Sequence, residues 1–148
     1  MKIKDVLSEA VIATSLKGET KNEIIEELLD ILVASGKVED RQLALDDLLK
    51  REKQMSTGIQ HGVAIPHAKT KAVKSLAACI AIKPEGVDFA ALDGQKSNIF
   101  IMTLSPVDRV GPHVQFLAEV SMVIKEQRER EKLLNSKTKK DILSIFGV

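Results

Sequence analysis

The spacing of apolar residues predicts helices near both ends of the chain. In the stretch "TKNEIIEELLDILVASG", apolar residues recur every three or four positions, which is typical of a helix with one face on a core. Thr20 and Glu23 have the spacing of a capping box at its start, and Gly36 stands where a C-terminal cap belongs. A second helix is predicted from its N-cap, Asp40, to about Lys53.

The middle of the chain changes to short apolar runs bounded by turn residues, a pattern that predicts strands. The runs are "VAIP", "SLAACIAIK" and "SNIFIMTLS", and "PEGVDFAALDG" between the last two is predicted to be a loop that ends in an Asp-Gly turn. Helical spacing returns after the third run. Pro112 suits the first turn of one helix, and Thr138 with Asp141 can cap a last helix, "TKKDILSIF".

This order of elements predicts a single domain over residues 1–148, an α/β fold built as a three-layer α/β/α sandwich around a mixed sheet. A net charge of +1 and an aromatic content of 3% argue against nucleic-acid binding and leave no aromatic surface for a sugar ring. The N-terminus "MKIKDVLSEA" lacks the apolar segment of a signal peptide, and the longest apolar run is too short to cross a bilayer. We expect a cytoplasmic protein with no membrane insertion.

Candidate chemistry concentrates in "STGIQHGVAIPHAKT", which carries two of the three histidines. We expect Pro66 to end the strand, so that His67 projects from a stiff edge into a loop. An ordinary histidine ring is mostly neutral near pH 7 and has the free lone pair that nucleophilic attack or metal binding requires. His113 follows Pro112 at a predicted helix start, where free backbone N–H groups attract anions. His61 lies in a predicted flexible turn and is expected to be incidental, while a structural role stays open for the other two.

One alternative is a metal site, because His61, His67 and His113 could together supply three nitrogen ligands to zinc. No carboxylate lies close in sequence to orient His61 or His67 as a second layer of the site. A histidine-metal hydrolase is therefore the weaker hypothesis, and the sequence predicts no bound metal.

Phosphoryl transfer fits the residues better, since it asks mainly for positioning and for neutralisation of the charge on the phosphoryl oxygens. Arg51 offers a planar fork for phosphate, and Ser56, Thr57 and the Gly58 backbone could donate neutral hydrogen bonds. The sequence contains no P-loop, no kinase-type glycine loop and no Asp-rich magnesium site. The pattern indicates a site for one phosphoryl group and predicts no cofactor.

Three stretches, "REKQMSTGIQHGVAIPHAKT", "GVDFAALDG" and "GPHVQFLAEVSMVI", resemble the fructose/mannitol-type (type 2) enzyme IIA domain of the bacterial phosphoenolpyruvate-dependent sugar phosphotransferase system. That family includes the nitrogen-regulatory IIA proteins, and the resemblance runs over essentially the whole chain. It implies that His67 is the phosphorylated residue, that His113 is a second active-site histidine, and that Arg51 neutralises the phosphoryl group. It also implies that His67 is phosphorylated by phospho-HPr, through Nε2, and then passes the group to a cysteine or histidine of a IIB partner. His61 is a departure, since the family usually has a small or amide residue there.

Two physiological roles stay open, and both use His67. The first is a phosphocarrier of a fructose/mannitol-type uptake system, which "GVDFAALDGQ" resembles. The second is a nitrogen-regulatory protein whose phosphorylation alters its binding to partners such as kinases or channels, which the lack of a joined IIB or IIC module favours slightly. We predict the carrier. The basic stretch of Lys69, Lys71 and Lys74 is interpreted as a solvated face, with steering of an acidic partner as the less favoured reading.

Overall fold

The computed structural model describes residues 2–148. Helices surround a mixed five-stranded sheet. The helices are α1 (Ile3–Val6), α2 (Lys21–Ala34), α3 (Arg41–Gln54), α4 (Gly111–Ile124), α5 (Gln127–Leu134) and α6 (Lys139–Ile145). The strands are β1 (Ile12–Ala13), β2 (Val63–Ala64), β3 (His67–Lys69), β4 (Ala77–Val87) and β5 (Ser97–Ser105). No helix within residues 2–148 has the length and apolar character needed to cross a bilayer.

The sheet has two long antiparallel strands at its centre and short parallel strands at its edges. β4 pairs antiparallel with β5, and β1 pairs in parallel with β4 on one side. On the other side β2 and β3 both pair in parallel with β5, so they are consecutive pieces of one edge. The central strands are buried along almost their whole length, and α2 and α5 both pack against β4. The predicted α/β sandwich around a mixed sheet is confirmed.

The sequence predicted that the strand ends at Pro66 and that His67 lies in a loop; β2 ends at Ala64, but pairing with β5 resumes in β3 from His67. Pro66 has no N–H to donate, but its carbonyl accepts a hydrogen bond from the Thr103 N–H at 3.0 Å, and the pairing continues beyond it. A proline is tolerated there because the segment is the edge of the sheet. His67 is therefore the first residue of β3, in register with Thr103, and not a loop residue.

The helix caps agree with the sequence more closely than the strand ends do. The Thr20 side chain accepts from the Glu23 N–H, but the Glu23 carboxylate accepts from the N–H of Glu19, so the predicted reciprocal box is shifted by one residue. The box between Thr138 and Asp141 is complete. β4 runs four residues into the predicted loop, as far as Val87, because a register shift after Ile82 lets pairing resume. The sequence also missed α5, whose residues are mostly charged.

Candidate functional site

The site is an open pocket of about 360 Å³ between one side of α3 and the edge strand β3. From α3 come residues at helical spacing, and from β3 come all three residues: Asp47, Lys50, Arg51, Gln54, His67, Ala68 and Lys69. The fold thus brings Arg51 and His67 to one pocket, although 15 residues separate them. Three cationic side chains against one carboxylate give this lining a net charge of +2 when the histidine is neutral.

The His67 ring is fixed by its own backbone segment. Its Nδ1 lies 2.9 Å from the Ile65 carbonyl oxygen. A carbonyl can only accept a hydrogen bond, so Nδ1 carries the proton, and the lone pair of the neutral ring is on Nε2. The Ile65 N–H in turn donates to the Thr57 carbonyl at 2.9 Å, which ties this segment to the preceding loop. The local geometry therefore leaves Nε2 as the nitrogen with a free lone pair.

His113 faces His67 from the first turn of α4. The two ring centroids are 5.8 Å apart and the rings are tilted by 44°. His113 Nε2 lies 2.9 Å from the hydroxyl oxygen of Thr103, a fully buried residue of β5. That contact uses Nε2 in either direction of the hydrogen bond and leaves Nδ1 as the nitrogen available to another group. Pro112 lies in the same first turn, as predicted.

The environment of His113 favours its neutral form. Burial lowers the pKa of this imidazole, and the charges of His67, when protonated, and of Lys69 lower it further. At neutral pH His113 is therefore a hydrogen-bonding group without a charge of its own. The neutral ring can donate from Nδ1 to an anion in the tautomer in which the Thr103 hydroxyl donates to Nε2.

Arg51 lies in the last turn of α3, and its side chain extends toward the C-terminal end of the same helix. One terminal nitrogen, Nη1, donates to the Met55 carbonyl at 2.8 Å. Guanidinium has five N–H donors, so this bond orients the group and leaves others for an anion. The placement agrees with the predicted role of Arg51 in phosphate neutralisation, which stays a prediction.

Thr57 was predicted to bind phosphate, but its donors are used inside the protein. The Thr57 N–H and hydroxyl both donate to the buried Glu52 carboxylate, at 2.7 and 2.6 Å. Lys21 of α2 forms an ion pair with the same carboxylate at 2.7 Å. Glu52 thus joins two helices to the loop that holds the His67 segment.

Ser56 and Gly58 are occupied in the same way. The Ser56 hydroxyl donates to the Phe89 carbonyl at 2.9 Å and accepts from the Gly58 N–H at 3.1 Å. None of these three residues lines the pocket around His67. Phosphate binding by Ser56, Thr57 and Gly58 has no support in these contacts, which give them a scaffolding role.

His61 lies apart from the other two histidines. It forms a tight turn with Gly62, closed by hydrogen bonds between Ile59 N–H and the Val63 carbonyl and between Val63 N–H and the Gln60 carbonyl. Both His61 and Gly62 have positive φ, 60° and 78°, as in a type I′ hairpin, so the predicted flexible turn has a defined conformation. His61 lines a separate, mostly apolar pocket of about 160 Å³.

A zinc site built from the three histidines is not assembled in this arrangement. Within residues 2–148, His, Cys, Asp and Glu side chains form no group of three or more that could hold a metal ion. His67 and His113 face each other, whereas His61 lines the other pocket.

Three residues of the site escaped the sequence reading. Thr103 is a hydroxyl residue inside an otherwise apolar strand, and that anomaly was the available signal. Lys69 lies two residues after His67, a spacing that places both side chains on one side of a strand, but His67 was not expected to be in a strand. Glu52 is a buried charge next to Arg51, and nothing in the helical spacing distinguishes it from its exposed neighbours.

A family model described as the phosphoenolpyruvate-dependent sugar phosphotransferase system, EIIA 2, matches residues 5–147. The chain belongs to this family. It is accordingly a phosphotransferase component of the carrier type. The family assignment agrees with the pair of facing histidines and with the resemblance seen in the sequence.

Similar proteins come from both branches of the family. A fructose-specific EIIA component of Haloferax volcanii is 40% identical over 128 residues, which cover 86% of this chain and 83% of that protein. A fructose-specific EIIABC component of Bacillus subtilis is 33% identical over 99% of the chain, which spans only 23% of that longer protein. The crystal structure of the nitrogen-regulatory protein IIA-Ntr from Neisseria meningitidis superposes with a TM-score of 0.84 at 25% identity, covering 97% and 98% of the two chains.

Proposed function

We propose that this protein carries a phosphoryl group on Nε2 of His67, accepts it from phospho-HPr, and passes it to a IIB component of a fructose/mannitol-type uptake system. The observation that carries the proposal is the hydrogen bond from His67 Nδ1 to the Ile65 carbonyl, 2.9 Å long. It leaves the lone pair on Nε2, and the ring lines a pocket whose net charge of +2 matches a phosphoryl group.

The transfer step needs no metal or nucleotide from this chain. The Nε2 lone pair attacks phosphorus in line, the N–P bond forms, and the bond from phosphorus to the donor breaks, with its electron pair leaving on the donor atom. Nδ1 keeps its proton on the Ile65 carbonyl throughout, so the phosphorylated ring stays in one orientation. The reverse geometry passes the group on: a nucleophile of the IIB partner attacks phosphorus, and the electron pair returns to Nε2.

Arg51 and His113 are proposed to act on the phosphoryl oxygens. Arg51 supplies positive charge from the pocket wall. His113, whose ring centroid lies 5.8 Å from that of His67, supplies a neutral donor from Nδ1 when the Thr103 hydroxyl donates to its Nε2. Both groups are oriented before the reaction begins. They therefore stabilise the charge on the phosphoryl oxygens in the transition state without the reorganisation that water would need.

Partners are proposed from relatives and from exposed apolar side chains close to His113 in the sequence. The Bacillus subtilis relative joins A, B and C components in one name, which supports a IIB acceptor for this chain. Val107 and Val110 in the β5–α4 connection and Val114 in α4 are exposed by 51%, 43% and 60%. Exposed apolar side chains in the segment that leads to His113 and follows it suit a partner that docks briefly over His67 and then leaves.

A nitrogen-regulatory role is the second candidate, favoured by the IIA-Ntr superposition over almost the entire chain. In that role the same phosphorylation at His67 would alter binding to a partner such as a kinase or channel. The 40% identity to a fructose-specific EIIA component favours the carrier.

The test is a two-stage transfer assay with intact protein. Wild-type protein, His67→Gln and His113→Gln are incubated with phosphoenolpyruvate, enzyme I and HPr, and the mass is followed before and after a fructose-type IIB domain is added. We expect an acid-labile phosphoryl adduct on wild type, none on His67→Gln, and loss of the adduct when IIB is added. An adduct that forms but is not discharged by IIB would favour the regulatory candidate, and no adduct on folded wild type would contradict both.

A further inference from the structure

Lys69 lines the same pocket as His67, although the sequence predicted that the basic stretch containing Lys69 is a solvated face. It is the last residue of β3, two positions after His67. Side chains two apart on a strand project to the same side, and both residues line the pocket. The backbone between them is held in register with β5, so the separation of the two side chains is set by a sheet and not by a loop.

The three lysines of that stretch differ in what they contact. Lys74 forms an ion pair with Glu39 at 3.1 Å, on the exposed surface. Lys71 lies in the turn after β3 and does not line the pocket. The Lys69 ammonium forms no hydrogen bond or ion pair with any other residue between positions 2 and 148. It is therefore available to a group that enters the pocket.

The charge of Lys69 already acts on the second histidine. It contributes to the lowered pKa of His113, after burial and the charge of His67. A cation within electrostatic reach of His113, on the same strand as His67, lies beside the position where a phosphoryl group on Nε2 would be. Without Lys69, the pocket lining has a net charge of only +1, which leaves a dianionic phosphoryl group undercompensated.

We propose that the Lys69 ammonium binds the oxygens of the phosphoryl group on His67, together with Arg51, and so acts as a phosphoryl-binding residue of the transfer. The proposal rests on the proposed function. Lys69 forms no covalent bond and gives up no proton in this role: it contributes a charge and N–H donors that become engaged when the P–N bond forms.

The test uses phosphoramidate, a small P–N phosphoryl donor, so that no partner surface can influence the rate. Phosphorylation of His67 is followed by intact mass in wild type, Lys69→Gln, Lys69→Arg and Lys71→Gln. We expect Lys69→Gln to be slower by about tenfold, less than a buried donor would cost because the ammonium is exposed. Lys69→Arg should stay within about threefold of wild type, and Lys71→Gln, which removes the same charge outside the pocket, should equal it.

A second readout does not depend on phosphorylation. The pKa of His113 is measured by NMR titration of its ring in the same four proteins. Removal of the Lys69 charge should raise the pKa of His113 in Lys69→Gln, with no change in Lys69→Arg or Lys71→Gln.

The outcomes separate this inference from the proposed function. If wild type is phosphorylated and Lys69→Gln reacts at the same rate as wild type or Lys71→Gln, the inference is wrong and the carrier stands. If no protein of the set is phosphorylated by phosphoramidate or by phospho-HPr, the carrier itself is contradicted, and Lys69 loses its role with it.

Discussion

At the scale of single residues, the site depends on two hydrogen bonds that select ring nitrogens. His67 Nδ1 binds the Ile65 carbonyl and His113 Nε2 binds the Thr103 hydroxyl, both at 2.9 Å. The first bond leaves the free lone pair of His67 on Nε2, and the second fixes the orientation of the neighbouring ring. Ile65 belongs to the edge segment between β2 and β3, and Thr103 belongs to the central strand β5, so the sheet sets the orientation of both rings.

Replacement of Thr103 by valine should slow phosphoryl transfer. The substitution keeps the shape of the side chain and removes the hydroxyl, which frees His113 to leave its position. We expect about tenfold slower phosphorylation by phospho-HPr and a loss of about 1 kcal/mol in the free energy of unfolding. The control is Ser105→Ala on the same strand, because the buried Ser105 hydroxyl has no hydrogen-bond partner among residues 2–148. Equal rates for the Thr103 variant and wild type would remove Thr103 from the site.

Stability should depend on pH through His113. Its pKa is lower in the folded protein than the ordinary value of about 6.5, so the unfolded chain binds the proton more tightly. Stability is then complete above about pH 6.5 and falls as the pH decreases toward the folded pKa. Urea unfolding at pH 5.5 and 7.5 should show a smaller difference between the two pH values for His113→Gln than for wild type. An exposed replacement, His61→Gln, is the control and should keep the wild-type difference.

At the residue scale, the sequence predicted which histidine is phosphorylated but not which of its ring nitrogens has the free lone pair. His67 was recognisable from the motif around "AIPH", since that pattern is specific. Its tautomer depends on a carbonyl two residues away, and no sequence pattern specifies the direction of a ring. The Ser56 and Thr57 hydroxyls donate to Phe89 and Glu52 in this structure, because hydroxyl residues bind whichever acceptor the fold brings closest. The phosphate-binding role of Ser56, Thr57 and Gly58 stays a prediction.

At the scale of elements, the turn before β2 sets the start of the site segment. Gly62 has φ +78°, and a Cβ added there would clash with the Asn98 side-chain oxygen. Gly94 has nearly the same φ, +75°, with nothing within 4 Å of the added Cβ. A substitution at either glycine places a side chain on a left-handed backbone, but only a substitution at Gly62 adds a clash. Comparing the two therefore separates the backbone cost from the cost of the clash.

Gly62→Ala should destabilise the protein more than Gly94→Ala. The backbone cost of a left-handed residue is about 1–2 kcal/mol in both, and overpacking against Asn98 adds about 1–3 kcal/mol at Gly62 alone. Denaturant unfolding of the two variants measures the difference directly. Equal losses would mean that Asn98 moves aside without cost.

The buried Glu52 carboxylate of α3 connects this helix to α2 and to the loop before β2. Glu52→Gln leaves one of the two Thr57 donors without its carboxylate and removes the charge that Lys21 pairs with. We expect a loss of about 2 kcal/mol in the free energy of unfolding, typical of a broken buried charged hydrogen bond. Glu39→Gln, which breaks an exposed pair with Lys74, should cost less than about 1 kcal/mol. Similar losses in the free energy of unfolding for the two variants would contradict this connecting role of Glu52.

The sequence predicted the long elements better than the short ones. α2 and β5 have strong periodicity and clear ends, and their observed bounds lie within two residues of the predicted ones. β1 and β3 have two and three residues, too few for any periodicity, and exist only because β4 and β5 present open edges to pair with. The β4 extension past Pro84 depends on a register shift that the loop composition conceals.

At the scale of the whole molecule, the fold does not distinguish the two candidate roles. The chain aligns with a fructose-specific EIIA component and superposes on a nitrogen-regulatory IIA protein over nearly its full length. What both roles share is one histidine presented at a sheet edge, in a pocket of net charge +2. The distinction must then arise from which partner docks there, since the chemistry is the same.

The position of the phosphoryl group is the central claim, and NMR of the phosphorylated protein tests it most directly. Protein labelled with ¹⁵N in its histidines is phosphorylated through HPr, and the ring nitrogen bonded to phosphorus is identified from its shift and its coupling to ³¹P. We predict attachment to Nε2 of His67, with Nδ1 still protonated and bound to the Ile65 carbonyl. Attachment to Nδ1 of His67, or to either nitrogen of His113, would contradict the account.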